Sequence, residues 1–321
     1  MCYCNYEEEV KINEVIDISY ESLNKFPDVF KFNNLNIVKY LNCEFNNLTE
    51  LPNLSNCENL LELKCENNNL RELPDLSNCI NLNVLDYSDN NLIKLPDLSK
   101  LINLYSLKCN NNNIKELQDL SKCINLMSIF CYFNDITKIQ DLSNLVKLTS
   151  LICDNNKLTE LPKLPVSILN LNCYFNNINK IQDLSNLVKL RELICDNNNL
   201  IELPKLPINI SYLNCSNNQI TNLSNLIDCN NLMFLNLSNN KLLTCPDLSN
   251  YIKLNIFVIF NNNFTTLHKS IIKCSKLNSY KKYKQYKHLD TLPFILNNSI
   301  ENYYYSNIMK YYNKIYLTNC K

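Results

Sequence analysis

The sequence predicts an elongated solenoid of stacked coils, each coil adding one short strand to a parallel sheet. Three observations carry that expectation. The pattern L-x-x-L-x-C-x-x-N-x-L recurs along the chain, as LLELKCENNNL (60–70), LYSLKCNNNNI (104–114) and LTSLICDNNKL (148–158). Within each copy the apolar pair flanks one polar position, which is strand alternation. One such unit cannot bury its apolar face alone, so neighbours must stack.

The copies run in order through asparagines at Asn46, Asn68, Asn90, Asn112, Asn134, Asn156, Asn176, Asn198, Asn218, Asn240 and Asn262. The intervals are 22 residues, except for steps of 20 before Asn176 and Asn218. In the second copy Leu63 and Cys65 face inward, while Glu62, Lys64 and Glu66 face outward. Asn68 sits where the chain turns, and its amide can donate to carbonyls of adjacent coils and accept from their N–H groups. Leu73-Pro74 follows on the return path, where proline fixes φ and stops a helix. Eleven strands at ~4.8 Å spacing make a sheet about 48 Å long.

These motifs resemble the leucine-rich repeat family over roughly residues 31–267. The 22-residue copies, such as IQDLSNLVKLTSLICDNNKLTEL (139–161), are similar to those of phosphatase regulators and bacterial invasion proteins. The 20-residue steps contain LPKLP (161–165 and 203–207) and resemble the short repeats of bacterial effectors. The resemblance implies an α/β-type, right-handed curved coil, with the parallel sheet on the concave face and short turns or 3-10 segments on the convex face. It also implies protein recognition on that concave face.

Residues 1–30 are expected to form a degenerate N-terminal cap, because VIDISYESLNKFP (15–27) echoes the repeat with Glu21 in place of the asparagine. After residue 267 the pattern stops. Residues 268–321 hold ten Lys, one Asp and one Glu, a balance of +8, and nine Tyr, as in KKYKQYK (281–287). That segment reads as a cap, or as a binder of nucleic acid, anionic membrane or an acidic protein.

Composition narrows the function. Lys plus Arg is 31 and Asp plus Glu is 31, so the net charge is +0. With Gly at 0, glycine-rich phosphate loops are excluded. Both histidines, His268 and His288, follow the repeats, so residues 1–267 offer no histidine for catalysis or zinc. There are 62 Asn and no Ala, a skew towards AT-rich codons. That skew, with the repeats, resembles proteins of large DNA viruses of amoebae, which would imply a viral origin and host cytoplasm. The opening stretch has no basic start and no apolar run, and an intracellular setting with free thiols is expected. The eight cysteines of the repeat (Cys43, Cys65, Cys109, Cys131, Cys153, Cys173, Cys195 and Cys215) share a core slot that Leu237 and Ile259 fill elsewhere, so they read as small buried hydrophobes. Cys2 and Cys4 stay unassigned, and neither metal nor cofactor is expected.

The outward positions mark the candidate binding surface. Acidic residues there are Glu44, Glu62, Glu66, Asp86, Asp89, Asp154, Glu192 and Asp196, against Lys64 and Lys108, a balance of −6. That field favours a basic partner segment. An apolar cluster joins it: Phe130, Tyr132, Phe133, Ile152, Tyr174, Phe175 and Ile194, within about 14 Å of sheet. The expected function is a non-enzymatic scaffold for a protein partner. The alternatives are the substrate reader of an enzyme complex (a phosphatase regulator or ubiquitin-ligase adaptor) and anchoring through residues 268–321.

Overall fold

A computed structural model of the chain describes residues 14–28, 35–259 and 261–264. Cys2, Cys4 and the basic segment 268–321 lie outside the described residues. Among the described residues twelve three-residue strands form one sheet: β1 (Val15–Asp17), β2 (Tyr40–Asn42), β3 (Glu62–Lys64), β4 (Val84–Asp86), β5 (Ser106–Lys108), β6 (Ser128–Phe130), β7 (Ser150–Ile152), β8 (Asn170–Asn172), β9 (Glu192–Ile194), β10 (Tyr212–Asn214), β11 (Phe234–Asn236) and β12 (Ile256–Val258). All pairs are parallel, and spatial order equals chain order. The pattern gave eleven strands; β1, from the degenerate stretch, adds a twelfth by pairing Ile16 with Leu41.

The register is constant, so each core position forms a row. The middle strand residues Leu41, Leu63, Leu85, Leu107, Ile129 and their successors are buried, and the cysteine slot two residues on lies fully inside from Cys43 to Leu237, with Ile259 at the end half-buried. Burial pushes the thiols up, to about 12 for Cys43 and Cys109, so they stay protonated at neutral pH. Between the cysteines stands Tyr87, a ring in a thiol-sized slot and fully buried.

Asparagines join the coils. Asn112 Nδ2 donates to the carbonyls of Tyr87 (3.0 Å), Cys109 (3.3 Å) and Asn110 (3.1 Å), while its Oδ1 accepts from the Leu92 N–H at 2.9 Å. The same set recurs at Asn68 and Asn134. Each amide thus satisfies backbone of its own coil and of the one before, which a turn buried under the next coil requires. On the return side aspartates such as Asp75, Asp97 and Asp119 accept from the N–H two residues on, closing the turn. There a second amide row, Asn59, Asn81, Asn103, Asn125 and Asn231, donates to the preceding coil at 2.7 to 3.0 Å. The described return segments are turns and irregular chain, with one isolated parallel bridge between Glu116 and Lys138 and two 3-10 helices at Leu35–Ile37 and Ser224–Leu226. The short LPKLP coils keep the register, since Asn176 still reaches Cys153 O at 3.1 Å.

Candidate interaction surface

Four rows of side chains cross the outer face of the sheet. The first strand residue supplies Glu62, Ser106, Glu192 and Tyr212; the third supplies Asp86, Lys108, Phe130, Ile152 and Ile194. The residue after the cysteine slot supplies Glu44, Glu66, Tyr132, Asp154, Tyr174 and Asp196. The fourth row, one residue further, has positive φ in the eleven coils from β2 on, at Phe45, Asn67, Asp89, Asn111, Phe133, Asn155, Phe175, Asn197, Asn217, Asn239 and Asn261 (50° to 58°), as does its counterpart Tyr20 after β1. Glycine is the usual occupant of that region, and this chain has none. Asn and Asp, whose side chains bond locally, take eight of the eleven positions. Phenylalanine takes three, where a bulky side chain is costly.

Not every expected surface residue is exposed. Asp86 (1%), Asp154 (4%), Asp196 (8%), Ile152 (8%) and Ile194 (6%) are buried, against the sequence expectation. Stacked strands about 4.8 Å apart wedge each side chain between two neighbours of its row, and short ones vanish below longer ones. Phe130, Tyr132, Tyr174, Glu62, Glu66, Asp89 and Glu192 are half-buried, while Phe133 (50%) and Phe175 (59%) stand clear. Tyr132 packs edge-on against Phe133 at 5.8 Å. The aromatic cluster is also less of a contrast than the sequence suggested. Tyr212 and Phe234 stack at 4.0 Å on β10 and β11, and Tyr20 stacks on Phe45 at 4.4 Å.

Burial changes the charge count too. Desolvation lifts Glu66, Asp154, Glu192 and Asp196 each to about 7, far above the usual carboxylate range. Lys108 pairs with Asp86 at 2.9 Å and Lys64 with Glu62 at 3.3 Å. The face therefore carries less than the −6 read from the sequence when empty, and gains negative charge when a cation binds. Carboxylate oxygens of Glu44, Glu66 and Asp86 lie within 4.8 Å of one another, the spacing of a cation site. The Asp86 oxygens are already engaged, by Ser88 Oγ at 2.6 Å and by Lys108, so an added ion would have to displace a lysine.

No protein-family model matches the chain, and no curated relative does. Solved structures do. The leucine-rich effector YopM of Yersinia pestis is 30% identical, with a TM-score of 0.66, and this chain covers 73% of it while 79% of this chain is matched. The chain belongs to the leucine-rich repeat family. A second neighbour of this leucine-rich repeat protein is the functional domain of InlJ from Listeria monocytogenes, which includes a cysteine ladder: 30% identity, TM-score 0.72, 82% of this chain. The chain spans 57% of that neighbour's length. The plant peptide hormone receptor RGFR1, solved in complex with RGF2, shares the fold at 17% identity and a TM-score of 0.51. These neighbours are bacterial and plant proteins and lend no support to a viral origin.

Sequence reading missed the two aromatic stacks, Tyr87 and the positive-φ row. The row had a signal: an Asn, Asp or Phe always precedes the repeat asparagine.

Proposed function

We propose that this leucine-rich repeat protein is a non-enzymatic scaffold that grips a protein partner on the outer face of its sheet. One observation carries the reading. Phe133 and Phe175 project into solvent from a backbone conformation that disfavours phenylalanine, in register, beside Tyr132 and Tyr174. Exposed aromatics kept at such a cost mark binding positions. The acids around them favour a partner segment carrying Lys or Arg. RGFR1, whose structure holds RGF2, is an instance of this fold accommodating a partner. The protonated, buried thiols suit a reducing compartment, so an intracellular setting goes with this reading. Among the described residues no helix is long and apolar enough to cross a membrane.

Affinity capture from a lysate of the cell in which the protein occurs tests it. The unsubstituted chain should retain a partner that the double variant Phe133→Ala/Phe175→Ala loses at least tenfold, with unchanged circular dichroism. Equal recovery by both chains would remove this surface as the binding site.

A further inference from the structure

Three neighbouring coils carry an alternating pattern: CYFN (131–134), CDNN (153–156) and CYFN (173–176). The sheet places them side by side, with Phe133 N–H on Asp154 O at 3.1 Å and Asn155 N–H on Tyr174 O at 3.0 Å. Two short rows result, Tyr132–Asp154–Tyr174 and Phe133–Asn155–Phe175. In the second row the outer two rings stand clear. The middle residue does not: Asn155 bends its amide onto Asp154 Oδ2 at 2.9 Å. That leaves a notch walled by Phe133 and Phe175, whose backbones lie about 10 Å apart at two coil spacings. Asp154 lies beneath it, 4% exposed, its Oδ1 held by Asn172 Nδ2 at 2.9 Å and its carboxylate also hydrogen-bonded with the Tyr174 side chain. Among the described residues no Lys or Arg forms an ion pair with Asp154. Aromatic walls above a carboxylate suit one side-chain type, a long apolar stem ending in a cation.

We infer that this notch receives a lysine of the chain's own basic segment 281–287, KKYKQYK. The inference rests on the reading of the outer face as a binding surface, and adds an internal occupant to it. Charge supports it: that segment has four Lys and no acid, facing a surface whose charged outward residues are mostly acidic. Reach supports it as well. The last described residue, Phe264, follows β12, and Phe175 follows β8, four coils or about 19 Å away along the sheet. The sixteen residues 265–280 can extend to roughly 50 Å. A tether of that length holds the segment at an effective concentration on the order of millimolar, so even a weak contact is occupied. An outside partner then has to displace it.

The chain has no Trp, so Phe175→Trp introduces a single reporter at the notch wall. In the full chain, changing Lys281, Lys282, Lys284 and Lys287 to Gln should red-shift the emission of that indole and raise its acrylamide quenching at least twofold. A synthetic peptide of residues 278–290, added to that neutralised chain, should reverse the change. Its affinity should fall about tenfold with Asp154→Asn, and should fall again as salt rises from roughly 50 to about 300 mM and shortens the Debye length. Because a tryptophan could perturb the wall, the unsubstituted chain provides a second measurement. Zero-length carbodiimide coupling should join peptides from 281–287 to the coils of residues 131–176. Identical emission with and without the four lysines, or the absence of such joined peptides, overturns the inference. If partner capture still depends on Phe133 and Phe175 in that case, the scaffold reading stands and the occupant is another protein. If the segment docks and no partner is captured, the inference survives without the scaffold reading.

Discussion

Tyr87 shows how much one residue can cost. Its ring fills a slot that cysteine takes in the neighbouring coils, and its hydroxyl lies fully buried against the Cys109 thiol with no hydrogen bond of good geometry. Tyr87→Phe removes that orphan donor with little change of volume, and should raise stability by about 1 kcal/mol in urea denaturation. A loss would show that the hydroxyl has a partner after all. Phe133→Asn and Phe175→Asn restore the residue type of the other coils at positive φ. Each should add about 1 kcal/mol of stability while weakening partner binding, so that stability and affinity move in opposite directions. Asp154 and Asp196 couple the fold to pH. Their pKa is raised from 3.8 to about 7 by burial, so between those values the folded state holds protons the unfolded chain has released. That stabilisation is complete below the lower value and lost as pH rises through the upper one. The chain should melt higher at pH 5 than at pH 8, and Asp154→Asn/Asp196→Asn should flatten the difference. Return-side Asp97 and Asp119, held low by Ser99 and Ser121, act in the opposite sense and only at more acid pH.

At the scale of the coil, one amide replaces what a crossover helix would supply. Parallel strands ordinarily need helices between them. From β2 to β12 a return of 17 or 19 residues without an α-helix does the work, because the repeat asparagine ties the turn to the coil before it. Asn112→Ala leaves three carbonyls and one N–H buried with a partner lost, and should cost about 3 kcal/mol. Asn262, in the last described coil, is only part-buried, and the same change there should cost less than half as much, since water can replace the amide. Equal losses at the two positions in urea denaturation would contradict a role that depends on burial.

Across the whole molecule, stability is a sum over neighbours. Residues 139–148 and 181–190 are both IQDLSNLVKL, and each is preceded by Lys. Deleting residues 139–180 therefore joins Lys138 to Ile181 in a native context and removes β7 and β8. A ten-strand sheet, folded by circular dichroism and shorter by about 10 Å in solution scattering, is the expected result. An unfolded product would mean that coils do not stack independently. The deletion also removes Asp154 and Phe175, so binding should be lost while the fold is kept.

The chain alone determined the repeat, the core rows and the order of the sheet, because these depend on spacing within one coil and on copying it. Ile16, Leu63 and Cys65 point inward by alternation, whatever lies beside them. Which outward residues meet solvent was decided by tertiary structure. Asp154 and Phe133 differ in exposure because side chains about 20 residues away in sequence lie a single strand spacing away in space. The same lateral crowding raised four carboxylates towards neutrality, bent Asn155 down and left two rings standing beside it, none of which a single coil contains.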